Sequence, residues 1–240
     1  MIESERKQII DLVRREVIPA IGCTEPIAVA LCVAKAVETL GTKPENIKVF
    51  LSANILKNAM GVGIPGTGMI GLPIAVALGA IIGKSEYQLE VLKDSTPEAV
   101  KLGKQYINEK RVCISLKEGI AEKLYIEVLC EAEGKVATAI IAGGHTTFIY
   151  IARGEEILFS KQPVGTEEQD EQNLDLNLKK VYDFALTAPL EEIRFILETA
   201  RLNKAAAESS FQGDYGHALG KVLRGRYEHP VSYTHLTLPT

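Results

Sequence analysis

The period of the hydrophobic pattern changes twice along this chain of 240 residues, and that change limits the fold more than any other feature. Between Arg111 and Phe159 apolar and polar residues alternate in Val112-Cys-Ile-Ser-Leu116, Leu124 to Leu129, Val136 to Ile141, and a pair around Phe148 to Ile151 and Ile157 to Phe159. Successive side chains of a strand point to opposite faces, so the alternation predicts strands with one face in a core. Glu133-Gly134 and Arg153-Gly-Glu155 supply turn residues between them, which predicts antiparallel hairpins. On both sides of this region the period is helical. Ile9, Ile10, Val13 and Val17 share a side over residues 4–17 until Pro19 stops the helix. Further helices are predicted over 25–40, ended by Gly41, over 73–82, and over 97–108 with Thr96 as cap. Two more are predicted at 176–186 and 190–209, with Ile193, Ile196, Leu197 and Ala200 on one face. An isolated strand at 47–51, continued through Ile55 and Leu56, completes the elements. The expected fold is α+β: helices flanking a mostly antiparallel sheet with strands at about 47–56 and 111–159.

Composition excludes several classes of function. With 46% hydrophobic and 24% charged residues the chain can bury a substantial core. A net charge of −4 with no cluster of Lys and Arg argues against a nucleic-acid partner, because phosphates call for a basic face. The longest apolar run, Met69 to Ile82, is broken by Gly71, Pro73 and Gly79. It falls short of the roughly 20 residues that a membrane span needs, so no membrane association is expected. The charged start, Met1-Ile-Glu-Ser-Glu-Arg-Lys7, lacks the apolar stretch of a signal peptide, and a cytoplasmic location follows as an expectation. Cys23, Cys32, Cys113 and Cys130 are then not expected to form disulfides, and none makes a Cys-x-x-Cys pair.

Three segments carry residues suited to chemistry. In Ile21-Gly-Cys-Thr-Glu-Pro26 the thiol of Cys23 stands just before a helix that starts at Glu25 or Pro26. Unpaired N–H groups and the dipole at such an end favour a thiolate, which makes Cys23 a candidate ligand or nucleophile; a small buried thiol is the competing reading. The other three cysteines alternate with apolar neighbours and read as core thiols. Residues 58–73 hold Gly61, Gly63, Gly66, Gly68 and Gly71. Each glycine adds about 0.5–1 kcal/mol of backbone entropy to folding relative to Ala, so five together suggest a loop that brings backbone N–H groups close to a small carboxylate or phosphate. The spacing fits neither of the common nucleotide-binding glycine patterns, and a loop that only packs helix on sheet is the alternative. In Gly143-Gly-His145-Thr-Thr147, a loop between strands exposes His145 as a candidate base. His217, His229 and His235 lie in less promising surroundings.

Together, Gly22-Cys-Thr-Glu-Pro26, Asn58-Ala-Met-Gly-Val-Gly-Ile-Pro-Gly-Thr-Gly68 and Gly144-His-Thr146 resemble the L-cysteine desulfidase family, which is related to the catalytic subunit of iron-sulfur L-serine dehydratases. The likeness runs from the N-terminus to about residue 229. It implies a lyase independent of pyridoxal phosphate that holds a 4Fe-4S cluster and converts L-cysteine to pyruvate, ammonia and sulfide. Cys23 matches the N-terminal cluster cysteine of that family. His145 is the candidate base, and Asn58, Gly61, Gly63, Gly66, Thr67, Gly68 and Thr146 are candidates for holding the amino-acid substrate. A homo-oligomer is compatible with this reading. The other cluster cysteines of the family lie in a C-terminal part for which this chain has no counterpart. Residues 1–229 are accordingly read as the N-terminal portion of one catalytic domain whose helical C-terminal part is truncated, residues 161–173 as a solvated connection, and 230–240 as a non-native or disordered tail. An L-serine dehydratase, a non-enzymatic module that binds a small anion or amino acid, and a thiol nucleophile paired with His145 are the rival readings.

Overall fold

A computed structural model describes residues 2–161, 176–213 and 217–227. The connection expected at 161–173 therefore lies almost wholly outside the described residues, as do the tail at 230–240, His229 and His235. The chain divides into two compact units, Arg14–Asp175 and a second made of Met1–Val13 with Leu176–Thr240.

The larger unit is built around one helix, α2 (Thr24–Leu40). Every residue from Pro26 to Ala34 is buried, which accounts for a sequence that is apolar all round instead of amphipathic. Gly41, with φ 78°, ends it by returning its N–H to the Val37 carbonyl. One side of α2 lies on a six-stranded sheet and the other on α4 (Leu72–Ile82), which in turn packs on α5 (Pro97–Asn108). The sheet comprises β1 (Asn46–Leu51), β4 (Val112–Leu116), β5 (Tyr125–Ala132), β6 (Lys135–Ala142), β7 (Phe148–Arg153) and β8 (Glu156–Ser160), in the order β4-β1-β5-β6-β7-β8. Only the β1–β4 pair is parallel. Strand β5 alternates strictly between half-buried and buried residues, the pattern of a sheet with one face in the core. Its hairpin to β6 turns through Glu133 (φ 51°) and Gly134 (φ 72°), the pair of positive φ values that matches strand twist. The expected α+β class, with helices flanking a mostly antiparallel sheet, is the observed one.

Two contacts set the spacing of the helical layer. A Cβ added to Gly79 of α4 would lie 2.6 Å from the Ala30 carbonyl oxygen of α2, and one added to Gly83 would lie 2.7 Å from the Ala34 Cβ. The helices cross backbone to backbone, and glycine is what lets them. On the other side of α4, a Cβ on Gly103 of α5 would crowd the Cδ1 tip of Ile74 at 2.9 Å and otherwise make ordinary contacts with Leu78 and Ala77.

One expected strand is too long. The segment at 47–56 stops at Leu51, and Ala53–Ala59 forms a helix, α3. Ser52 causes the break: its buried hydroxyl accepts the Ile55 N–H at 3.4 Å, which caps α3, donates to the Lys123 carbonyl at 2.8 Å, and accepts the Tyr125 N–H of β5 at 3.4 Å. A second correction concerns Cys113. It was read as a core thiol, yet it sits exposed on the edge strand β4, whereas Cys32 and Cys130 are buried.

The smaller unit holds most of α1 (Glu3–Glu16) together with α6 (Leu178–Thr187), α7 (Leu190–Ile193), α8 (Leu197–Gln212) and α9 (Leu219–Tyr227). Arg6 forks onto Glu192 at 2.8 and 3.1 Å, and Lys180 pairs with Glu5 at 3.1 Å. Helices α6, α7 and α8 contain no buried residue, and Leu178, Tyr182 and Leu186 form a stripe one turn apart that is 85%, 63% and 67% exposed.

Candidate functional site

Two of the three segments singled out in the sequence meet at the head of α2. Cys23 is its N-cap residue, with extended φ −60° and ψ 131°, but its side chain makes no capping bond. The thiol instead donates to Oε2 of Glu25 at 3.0 Å, and the Thr24 hydroxyl donates to the same oxygen at 3.3 Å. From α3, Asn58 sends its amide Nδ2 to Oε1 of Glu25 at 3.2 Å. The Ser52 cap that ends β1 gives α3 its start, and so fixes where Asn58 comes to lie. The part of His145 is the smallest of the electrostatic influences that favour the Glu25 carboxylate, and His145 makes no hydrogen bond to this group. It occupies a central position in a turn closed by the Thr147 N–H on the Gly144 carbonyl at 3.1 Å, beside a bulge at Ile140/Ile141. Thr146, half-buried, takes the next position of that turn.

This arrangement reverses the electrostatic expectation for Cys23. Partial burial, and then the hydrogen bond and negative charge of Glu25, push its thiol up instead of down. Glu25 has taken the part an anion plays at a helix N-terminus. The bond from Cys23, with further help from the Glu25 backbone N–H, Asn58 and His145, holds its carboxyl below the ordinary value. The pair thus rests as thiol and carboxylate, with the thiol donating along a 3.0 Å contact. Glu25 was used in the sequence only as a helix-starting residue. A carboxylate two positions after a cysteine in the same first helical turn was the signal that could have marked it.

The glycine-rich segment is a hairpin, not an open loop. Strands β2 (Gly63–Ile64) and β3 (Met69–Ile70) pair antiparallel, and Gly71 extends the pairing with its N–H on the Val62 carbonyl at 2.8 Å. Thr67 is 5% exposed and spends its hydroxyl on the turn, donating to the Ile64 carbonyl at 2.7 Å and accepting from the Met69 N–H at 2.9 Å. Gly66 (φ 74°) and Gly68 (φ 63°) supply the left-handed conformations of that turn. Gly61 and Gly63 are outside the left-handed region and have open space around them. The tip still belongs to the site, because a Cβ on Gly22 would lie 3.1 Å from Cγ of Pro65, so the turn rests against the residue before Cys23.

Among the described residues, no three His, Cys, Asp or Glu side chains are grouped to hold a metal ion. Cys32 points its sulfur at the Ala139 carbonyl, 3.3 Å away in the core, and burial pushes the Cys130 thiol up to about 12. Cys23 is the one cysteine sulfur among the described residues at the head of α2, which does not by itself fit a four-iron cluster. No helix among them is long and apolar enough to cross a membrane.

Fold and site together define an α+β protein with a thiol, a carboxylate and an amide gathered at the head of a buried helix. The chain is 79% identical over 231 residues to a UPF0597 protein of Bacteroides fragilis, covering 96% of this chain and 54% of that relative. A UPF0597 protein of Bacteroides thetaiotaomicron is 75% identical over 231 residues, with the same coverage. One of Porphyromonas gingivalis is 44% identical over 231 residues, covering 94% of this chain and 53% of that protein. The chain spans about half the length of the curated relatives it matches. Their names state no reaction, ligand or partner. No family model and no solved structure matches the chain.

Proposed function

We propose that the chain forms the N-terminal part of a lyase that eliminates the β-substituent of a small amino acid, L-cysteine in the first place. The observation that carries this reading is that Asn58, from a segment far along the chain, donates to the same carboxylate, Glu25, that accepts the Cys23 thiol. These are two of the segments on which the resemblance to the L-cysteine desulfidase family rests.

Elimination from L-cysteine breaks the Cα–H and Cβ–S bonds. The base takes the proton, the C–H electron pair becomes the C=C bond, and sulfur leaves with its own bonding pair as sulfide. The product aminoacrylate tautomerises to an imine, which water hydrolyses to pyruvate and ammonia. His145 is the base in this reading, since a turn between strands presents an imidazole suited to proton transfer near neutral pH. In this reading Asn58, the hairpin tip at Pro65 to Gly68 and Thr146 are the residues that hold the substrate. Cys23 is assigned as one ligand of a 4Fe-4S cluster, with the remaining ligands assigned to the length that the relatives possess beyond this chain. No step above depends on it.

The test is anaerobic reconstitution of the protein at the length of its relatives, followed by measurement of sulfide and pyruvate. L-cysteine should yield both in equal amounts, and Cys23→Ala should lose bound iron and turnover together. A Cys23→Ala protein with full iron content and full rate would refute the assignment. The same assay with L-serine decides between a desulfidase and a serine dehydratase, according to which substrate has the higher kcat/KM.

A further inference from the structure

We infer that the apolar face of the smaller unit, carried by α6 and α9, is a docking surface for the part of the longer protein that lies outside this chain. This rests on the reading of the chain as one portion of a longer protein, and not on the reaction assigned to it. The polarity of these helices is inverted. Lys180 of α6 pairs with Glu5 of α1, and Glu192 of α7 takes the fork of Arg6, so charged groups face the neighbouring helix and tie the unit together. The Lys180 side chain is 29% exposed, whereas Leu178, two positions earlier, is 85% exposed. Val181, Tyr182 and Leu186 follow Leu178 by three, four and eight positions, which lines all four along one side of α6, and all four are exposed. Of the large apolar residues of α6 only Phe184 is half-buried. Leu219, Val222 and Leu223 repeat the spacing on α9 and are likewise exposed. A helix on the outside of a finished domain has the opposite arrangement, with its apolar stripe in the core and its charges in water.

Energetics call for an occupant, and the relatives indicate which. Ordering a helix costs conformational entropy that burial has to offset, yet α6, α7 and α8 contain no buried residue, whereas α2 buries every residue from Pro26 to Ala34. The missing burial must come from outside the described helices, and an apolar patch of this kind marks where it is made. In relatives from 79% down to 42% identity, the shared region is only 52–56% of the protein, so it is accompanied by nearly its own length again. A segment joined to the unit through the chain meets it at an effective concentration on the order of millimolar. A second copy has no such advantage at ordinary dilution. The occupant is therefore assigned to the remaining length of the same protein, with an apolar contact surface matched to the Leu and Tyr side chains of α6.

The experiment takes the protein at the length of its relatives, as Leu178→Cys and Leu186→Cys, and labels it with a maleimide both native and in denaturing urea. Peptide mapping separates these sites from the natural cysteines. Uncovering a buried leucine-sized side chain is costly enough that each site should react about tenfold or more slowly in the native protein than in urea. In the chain of 240 residues, at the same dilution, both sites should react as fast as in urea. Nitration of Tyr182 by tetranitromethane makes the same comparison in wild type, which covers a variant that fails to fold. The inference is overturned if the longer native protein reacts as fast as in urea. It is also overturned if the two lengths are protected alike, since the face is then covered within the unit itself. Protection that fades on dilution overturns it as well, because a second copy is then the occupant. If protection of the longer protein survives dilution yet L-cysteine yields no sulfide after anaerobic reconstitution, the docking surface stands and the lyase reading fails. If sulfide is released and the face labels freely, the reverse holds.

Discussion

Replacing Gly79 by Ala tests whether the backbone crossing of α2 and α4 governs the stability of the larger unit. The added Cβ would lie 2.6 Å from the Ala30 carbonyl oxygen and 3.0 Å from the Ala30 Cα, both fixed backbone atoms. Ordinary contact begins near 3.4 Å, so the helices must part by about 0.8 Å, a gap that forfeits about a quarter to a half of the dispersion energy of the contacts it opens. Overpacking costs about 1–3 kcal/mol, here the upper part of about 2–3 because the atoms met are backbone, and Ala returns about 1 kcal/mol of helix propensity. The expected outcome is a net loss of about 1–2 kcal/mol, seen as a lower urea midpoint at unchanged slope and a fall in Tm of about 2–8 °C. Gly103→Ala is the matched control. Its Cβ would displace only the tip of Ile74, a rotamer adjustment of about 0.5–1.5 kcal/mol that the same propensity gain offsets, so stability should change by less than about 0.5 kcal/mol. If Gly79→Ala is as stable as wild type, or if the two variants shift alike, the crossing does not control the packing and the reasoning is refuted.

Three further outcomes follow from the site and the burial pattern. With iodoacetamide and peptide mapping, Cys113 should be alkylated first, Cys23 more slowly, and Cys32 and Cys130 only on unfolding; early labelling of either core thiol would contradict the burial described. Glu25→Gln should speed alkylation of Cys23 at a fixed pH near 8, because removing the neighbouring charge takes away one cause of the raised thiol; a slower reaction would show that the carboxylate activates the thiol instead. The Glu25 carboxyl is depressed on folding, so its contribution is present above its unfolded value of about 4.3 and is lost as pH falls through the folded value. Wild type should thus lose more of its urea midpoint than Glu25→Gln does as pH falls from 6 through 4 and below, and equal losses would remove Glu25 from the account.

Much of the fold could be read from sequence because its elements carry strong local signals. The strand alternation of β5 and β6, the Glu133-Gly134 turn, the Thr96 cap and the Gly41 stop all appear where local chemistry puts them. The errors lie where one residue outweighs a pattern. Ile55 and Leu56 look like a continuation of β1, but the single hydroxyl of Ser52 switches the chain to helix. Cys113 has the alternation of a core position, yet which face of an edge strand is covered depends on neighbours that local sequence does not name. The parallel pairing of β1 with β4 is equally nonlocal. Within the site, the meeting of Asn58 and Cys23 was suggested by the motifs, whereas the carboxylate joining them was hidden by its ordinary role as a helix-starting residue. The glycines form a hairpin whose local shape their number alone does not disclose. Gly66 and Gly68 shape a turn that binds its own Thr67, and Gly71 lies where a Cβ would meet the Met60 carbonyl oxygen at 3.0 Å.

The stripe of Leu178, Tyr182 and Leu186 has a practical side. Salts such as sulfate are excluded from protein surfaces and strengthen the burial of apolar area, so this face will favour self-association as such salts are added. A net charge of only −4 provides little repulsion against it. Light scattering across an ammonium sulfate series should register the onset early, and a Leu178→Lys, Leu186→Lys double variant should postpone it.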